Sequence, residues 1–275
     1  RQMCIRDRRK WGKTMCKKYE DLTFTDDFMF CKILYTNPEL CKQLLELILG
    51  RKIKKIRYLT TQNTIDITSD GKGIRLDVYL EGDSKVYDIE MQTTGKSNLP
   101  KRSRYYQGMI DLNLIEKGAD YSELKETFII FVCLHDPFKH NECVYTFENR
   151  CKEVQGLQLG DESTKIFLNA SGNKENLPEE LKNFLDFLSG EEPRGRLATE
   201  IARKVELAVQ HEEWRTEYMT LLQRDREKFA EGMEQGKILS IQRLLKKEMD
   251  NDFILSLGYT QEEIDEAEKQ LMTTV

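Results

Sequence analysis

The residues best suited to chemistry are two acids and an amide, Asp77, Glu90 and Gln92, in the segment IRLDVYLEGDSKVYDIEMQ. Apolar and polar residues alternate in two runs around EGDS, a pattern that predicts a β-hairpin. Since side chains alternate along a strand, Glu90 and Gln92 share one face of the second strand. Clustered carboxylates repel each other unless a cation neutralises them. Mg²⁺ suits such a pair, because it binds few carboxylates together with water and phosphate oxygens. The pattern is therefore typical of a metal site that hydrolyses phosphodiesters.

The register of this hairpin decides how close the acids lie. The simplest hairpin turns at Gly82-Asp83, which places Asp77 opposite Asp88 and diagonal to Glu90. Diagonal neighbours are roughly 7–8 Å apart at Cα, so the side chains of Asp77 and Glu90 can converge on one cation. Asp88 is expected to be solvated. In the alternative interpretation, Asp77 and Glu90 are themselves solvated positions on a half-exposed hairpin.

The elements around the hairpin predict an α/β fold. Helices are expected over 38–50, 100–118 and 178–190, each beginning at a proline and ending at a glycine. The run TFIIFVCL is continuously apolar, which is typical of a central strand buried on both faces. Together these elements predict a mixed central sheet flanked by helices.

The segments DDFMF, IRLDVYL, YDIEMQ and LPKRSRYYQGMID occur in an order that resembles a known family. It is the recombination-promoting nuclease family, also labelled putative transposases, of the PD-(D/E)XK nuclease superfamily. The pattern LD-x12-E-x-Q resembles the signature of that superfamily, with Gln in place of the final Lys. The resemblance covers about residues 20–190 and implies a restriction-endonuclease-like core. It also implies a metal-dependent endonuclease that acts on duplex DNA in recombination or transposon-like mobility. The alternative is a nuclease-fold interaction module that is catalytically weak or inactive.

The same resemblance implies a role for each residue of the motif. Asp77, Glu90 and the backbone carbonyl of Met91 would bind Mg²⁺, which Mn²⁺ can replace. Gln92 takes the place of the lysine that orients or activates the attacking water. Because a glutamine cannot act as a cationic base, Gln92 can only position that water. The first helix of this fold often adds an acid, and three candidates remain open: Asp27, Glu39 and Glu46.

A basic and aromatic patch follows the hairpin at the start of the helix KRSRYYQGMIDL. It contains Lys101, Arg102, Arg104 and Tyr106. Helix N-termini favour phosphate, and backbone contacts position a DNA substrate, so these four residues are predicted to bind DNA beside the metal. The alternative is a solvated charged face whose tyrosine packs on the sheet.

Composition divides the 275 residues into three parts. Residues 1–14 are basic and are predicted to be a non-native or disordered leader. Residues 15–190 form the predicted nuclease-like domain, and residues 191–275 form a helical C-terminal extension through which the chain could form a homo-oligomer. The formal net charge of −5 leaves no broad basic surface. We therefore expect weak non-specific DNA affinity that depends strongly on metal and salt.

The cysteines and the hydropathy limit where the protein acts. Seven scattered cysteines without a CxxC motif indicate reduced thiols, which predicts a cytoplasmic protein. The longest strongly apolar stretch is too short to span a bilayer, so no membrane partner is expected.

Overall fold

The computed structural model describes residues 17–59, 64–65, 74–95 and 98–273, which fall into two compact units. The larger unit runs from Lys17 to His211, and the smaller one holds the described residues from Glu212 onward. The predicted leader at 1–14 lies outside the described residues. Within the described ranges, none of the helices combines the length and the apolar character needed to cross a membrane.

A mixed sheet forms the centre of the larger unit. Its six strands are β1 (Ile56–Tyr58), β4 (Val78–Gly82), β5 (Lys85–Gln92), β6 (Thr127–Cys133), β7 (Val144–Phe147) and β8 (Ser163–Asn169). A separate antiparallel pair is formed by β2 (Thr64–Ile65) and β3 (Ile74–Arg75). The strand order is β1-β4-β5-β6-β8-β7, with β5, β6 and β8 parallel and the outer strands antiparallel to their neighbours. The predicted α/β fold with a mixed central sheet is confirmed.

Among the described residues of this unit, the α-helices are α1 (Asp27–Thr36), α2 (Pro38–Leu49), α3 (Leu99–Leu114), α4 (Glu179–Leu188) and α5 (Gly195–Ala208). The three predicted helices correspond to α2, α3 and α4, and α3 ends at Leu114 rather than at Gly118. Because β5 and β6 are parallel, the chain must cross the sheet between them, and α3 provides that crossover.

The centre of the sheet is buried on both faces, as the sequence of β6 predicts. Every residue of β6 is buried. On one face α3 packs Tyr106, Met109 and Ile110 into a cluster with Ile129 and Phe131. On the other face α1 contacts β4. The side chains on the α3 face of β4 and β5 therefore lie between the sheet and a helix.

The hairpin of β4 and β5 differs in register from the prediction. Its turn residues are Asp83 and Ser84, with φ of 51° and 63°, and Gly82 pairs with Lys85. Positive φ at both central positions is the geometry of a type I′ turn, whose twist matches the flanking strands. The predicted Gly82-Asp83 turn is therefore wrong by one residue. A Cβ at Gly82 would lie 3.1 Å from the Ile53 side chain and 3.1 Å from the Lys55 carbonyl oxygen, so a larger residue there would be tightly packed.

The smaller unit is helical, with α6 (Glu212–Leu245), α7 (Asn251–Ser256) and α8 (Gln261–Thr273). Its core is apolar and consists of Ile238, Ile241, Ile254, Ile264 and Ala267. The larger unit extends beyond residue 190, where the composition changes. This is because α5 buries Leu197 and Ile201 while it contacts α1 and α4.

Candidate functional site

Asp77 and Glu90 lie side by side where β4 begins and β5 ends. The register pairs Val78 with Ile89, so the next positions, Asp77 and Glu90, face each other. The Asp77 amide donates to Glu90 Oε1 at 3.0 Å, and the Met91 amide donates to Asp77 Oδ2 at 3.0 Å. Each carboxylate is thus tied to the backbone of the opposite strand. The shifted turn brings the two acids closer than the predicted diagonal arrangement.

Burial makes the charge of Glu90 unfavourable. Its side chain is 0% exposed, and Asp77 is half-buried. Burial, together with the charge of Asp77, raises the pKa of Glu90 to about 8, although Arg102 and the Asp77 amide act in the opposite direction. The interpretation of these acids as solvated hairpin positions is therefore wrong for Glu90, which is buried, whereas Asp77 is half-buried.

Asp88 is a third buried acid in the same region. It pairs with Tyr79 on β4 and with Ile129 on β6, and it is 0% exposed. Neither of its carboxylate oxygens has a hydrogen-bond partner within the described part of the chain. Burial, then the charges of Glu90 and Asp77, raise its pKa well above the ordinary range. The expectation that Asp88 is solvated is wrong, because α3 covers this face of the sheet.

Arg102 of α3 reaches into the acid pair. Its Nη2 donates to Glu90 Oε2 at 2.5 Å, and its Nη1 donates to Gln92 Oε1 at 3.0 Å. Its Nε donates to the Tyr106 hydroxyl at 2.8 Å, and the guanidinium lies 5.0 Å from the centroid of that ring. Arg102 is therefore hydrogen-bonded to three side chains, those of Glu90, Gln92 and Tyr106, and it partly neutralises Glu90.

The amide of Gln92 has both ends occupied. Its Nε2 donates to the Met91 carbonyl oxygen at 2.7 Å, while its Oε1 accepts from Arg102. The predicted metal-binding carbonyl is thus already an acceptor, and Gln92 links it to Arg102.

The four predicted DNA-binding residues fall into two sets. Arg102 and Tyr106 point toward the sheet and the acid pair, with Tyr106 buried. Lys101 and Arg104 of α3 are exposed. The sequence reasoning missed the contact of Arg102 with Glu90. Spacing offered a signal, since Arg102 and Tyr106 are four residues apart and so share a helix face.

Two of the three candidate third acids lie away from the acid pair. Glu46 accepts a hydrogen bond from the Ile53 amide at 2.9 Å, and Ile53 packs against Gly82 at the hairpin turn. Asp77 lies five positions before Gly82 along the strand, a distance of about 17 Å. Glu39 lines the same groove as Glu46.

Asp27, at the start of α1, is the candidate that acts on the pair. Its charge contributes to the raised pKa of Glu90, after the larger effects of burial and Asp77. The first helix therefore brings a carboxylate within electrostatic range of Glu90.

The donor set fits a hard divalent cation. Among the described residues there is no cluster of three or more His, Cys, Asp or Glu side chains that would hold a metal unaided. Mg²⁺ does not need one, because it binds through one or two carboxylates and completes its shell with water and phosphate. The unpartnered oxygens of Asp88 and the raised pKa of Glu90 show that Arg102 does not fully compensate the negative charge.

Comparison with known proteins identifies the family. The mixed six-stranded sheet with flanking helices is consistent with a restriction-endonuclease-like fold. The chain matches the PD-(D/E)XK nuclease family transposase family over residues 24–237, which is most of its length, and it belongs to that family. The predicted restriction-endonuclease-like fold is confirmed. No curated protein and no solved structure gives a significant match.

Proposed function

We propose that this chain is a metal-dependent endonuclease that hydrolyses phosphodiester bonds of duplex DNA, in recombination or transposon-like mobility. Its membership of a nuclease family supports the reaction class. The observation that carries the proposal is the acid pair, in which Asp77 and Glu90 face each other across two strands and the pKa of Glu90 rises to about 8. Such a perturbed carboxylate beside a second acid is typical of a functional site.

The proposed metal ligands are the Asp77 and Glu90 carboxylates and the Met91 carbonyl oxygen. Mg²⁺ is the expected ion, and Mn²⁺ can replace it. When bound, the ion activates water and stabilises the extra negative charge of the phosphodiester transition state. Asp27 is the preferred third acid, because its charge already acts on Glu90.

Arg102 and Gln92 have separate proposed roles. Arg102 donates to the Glu90 carboxylate that would hold the ion, so with an ion bound its guanidinium would be available for a phosphate of the substrate. Gln92 has no ionisable group, so its proposed role is to orient water through the second N–H or the second oxygen lone pair of its amide, beyond the two hydrogen bonds it already makes. The loss of the signature lysine therefore predicts a slow enzyme.

The exposed cations of α3 extend the proposed substrate contact. Lys101 and Arg104 lie outside the acid pair on the same helix as Arg102. We propose that they bind the DNA backbone, while Arg102 and Tyr106 act inside the site. Because phosphate contacts dominate affinity, binding should weaken steeply with salt.

Nicking of supercoiled plasmid tests the proposal. The parent protein should nick in Mg²⁺ or Mn²⁺ and be inactive in EDTA. Glu90→Ala should abolish nicking, whereas Glu262→Ala, which removes an exposed glutamate of α8, should leave the rate unchanged. No cleavage by the parent in any divalent metal, or a fully active Glu90→Ala variant, would contradict the proposal.

The alternative is an interaction module that binds DNA without cutting it. One observation favours it, namely that Arg102 already occupies the Glu90 carboxylate with a direct ion pair. In that case the parent would bind duplex DNA with or without metal and never nick it.

A further inference from the structure

A cleft of about 980 Å³ lies beside the candidate metal site, on the α3 face of the sheet. Its floor includes Lys165 and Phe167 of β8, and one wall is formed by Ser103 and Gln107 of α3. This part of the sheet is less covered, since β7 is exposed or half-buried along its whole length. The volume is at the upper end of the range for small-molecule sites.

Four polar side chains in this cleft, those of Asp111, Gln107, Ser163 and Lys165, are linked in a row by hydrogen bonds and are called the polar chain. Gln107 Nε2 donates to Asp111 Oδ1 at 2.9 Å, and Ser163 Oγ donates to Gln107 Oε1 at 2.9 Å. Lys165 Nζ donates in turn to Ser163 Oγ. A carboxylate and an ammonium group are thus presented in one cleft, connected through an amide and a hydroxyl.

Asp111 and Lys165, the charged ends of the polar chain, are both partly desolvated. Burial raises the pKa of Asp111 and lowers the pKa of Lys165. Each charge has therefore lost hydration that hydrogen bonds within the cleft do not fully replace. A ligand that donates to Asp111 and accepts from Lys165 would supply what is missing.

Aromatic rings line the cleft above this polar chain. Phe147 is 43% exposed, and its ring centroid lies 5.0 Å from Phe138 and 5.7 Å from Phe167. Tyr121 is 83% exposed and lines the same cleft. Exposed aromatic faces are the usual stacking partners of unpaired nucleobases.

The charge of the cleft does not favour a free phosphate. Its lining carries the acids Asp111, Glu148, Asp161 and Glu162 beside the cations Arg104, Lys125 and Lys165, so it has no excess of positive charge. Guanine matches the polar chain, because two N–H donors and a carbonyl oxygen lie side by side on its Watson–Crick edge. The donors suit the Asp111 carboxylate, and the carbonyl oxygen suits the Lys165 ammonium.

We infer that this cleft takes up one unpaired guanine base of a DNA strand next to the cleavage site. The inference rests on the proposed function, because the DNA held by the acid pair delivers the base. Gln107 lies about 8 Å further along α3 than Arg102, which contacts Glu90. Arg104 lines the cleft and can hold the adjoining backbone. Enzymes that bind an extrahelical base read its Watson–Crick edge and stack it between apolar side chains.

Binding of short duplexes that carry one unpaired base tests this inference. The full chain is titrated by fluorescence anisotropy in Ca²⁺, with duplexes that are fully paired or contain an unpaired guanine, adenine or thymine. The duplex with unpaired guanine should bind at least tenfold more tightly than the others. Equal affinity for all four duplexes would overturn the inference.

Variants locate the effect in the cleft. Asp111→Asn should remove the guanine preference, and Phe147→Leu, which keeps apolar packing but removes the stacking face, should reduce it about fivefold. Phe229→Leu makes the same change at another exposed phenylalanine, in α6, and should leave the preference intact. A preference that survives Asp111→Asn would overturn the inference.

The plasmid assay separates the two proposals. Metal-dependent nicking without a guanine preference would overturn the cleft assignment and leave the proposed nuclease standing. No nicking of plasmid together with no binding of any duplex would overturn both the cleft assignment and the proposed nuclease.

Discussion

The two compact units of the chain differ in the burial of their acidic side chains and in the direction in which the pKa values of these side chains are shifted. In the larger unit Asp88 and Glu90 are fully buried, and the pKa of each is raised. In the smaller unit Lys237 pairs with Glu263 at the surface at 2.5 Å, and this contact lowers the pKa of Glu263. The interior of the smaller unit is apolar.

The two units therefore differ in how their acidic residues affect the free energy of unfolding. Buried carboxylates that are incompletely paired destabilise the fold at neutral pH, whereas the pairing of Glu263 stabilises its unit slightly. Proteins commonly retain such costly groups at functional sites. The proposed site of the larger unit therefore differs from the smaller unit, whose interior is apolar, and the predictions test this difference.

The largest effect is expected from Asp77→Asn in the proposed catalytic pair. Removal of a metal-binding carboxylate should reduce the rate of plasmid nicking by about 10³-fold or more, equivalent to about 4 kcal/mol. Asp265→Asn makes the same change in α8 and should cut at the parent rate. If both variants were equally active, the acid pair would have no role in cleavage.

The substitution Glu90→Gln should raise the free energy of unfolding. Burial and the charge of Asp77 raise the pKa of Glu90 from its ordinary value of 4.5 to about 8. The charged form is therefore disfavoured in the folded state, and this cost grows as the pH rises from about 4.5 to about 8. Without metal at pH 8–9, Glu90→Gln should stabilise the chain by on the order of 2 kcal/mol, measured by thermal unfolding. A variant less stable than the parent at this pH would show that Arg102 compensates the charge.

Gln92→Lys should slow the enzyme, although it restores the residue of the parent signature. The Gln92 oxygen accepts a hydrogen bond from Arg102, so a lysine here would place a second cation beside the guanidinium. We expect about a tenfold loss in nicking rate, and Gln92→Glu, which keeps the acceptor, should retain contact with Arg102. A faster Gln92→Lys enzyme would show that Arg102 leaves the site during the reaction.

The smallest effect is expected from Glu263→Gln in the smaller unit, and its sign is opposite. The side chain still accepts a hydrogen bond from the Thr260 amide, so only the charge contact with Lys237 is removed. The loss should be about 0.5 kcal/mol, read from amide hydrogen exchange in α6 and α8. Because the pKa of Glu263 is lowered, its contribution is present above the ordinary value and disappears as the pH falls through the lowered pKa. An equal loss at pH 7 and at pH 3 would contradict the ionic origin.

The sequence predicted the elements better than their register. The hairpin, the central strand β6 and the helix starts at proline follow from local patterns that tertiary packing did not override. The hairpin turn did not, because Asp83 and Ser84 take positive φ where glycine is the usual residue. That single shift changed the partner of Asp77 from Asp88 to Glu90.

The proximity of the two acids was predictable from the motif, and their environment was less so. The register places Asp77 opposite Glu90. Their role in catalysis stays a prediction, and the burial of Asp88 depends on where α3 crosses the sheet. The contact between Arg102 and Glu90 depends on the rotation of the same helix. Both are long-range features that no local spacing in the chain specifies.

Metal binding tests the central claim most directly. Mn²⁺ is titrated into the metal-free full chain by calorimetry, with the parent, Glu90→Gln and Glu263→Gln compared at pH 8. The parent and Glu263→Gln should bind the ion with equal affinity, and Glu90→Gln should bind it at least 100-fold more weakly. Equal binding by the parent and Glu90→Gln, or no binding by the parent, would contradict the assignment of Asp77 and Glu90 as the metal site.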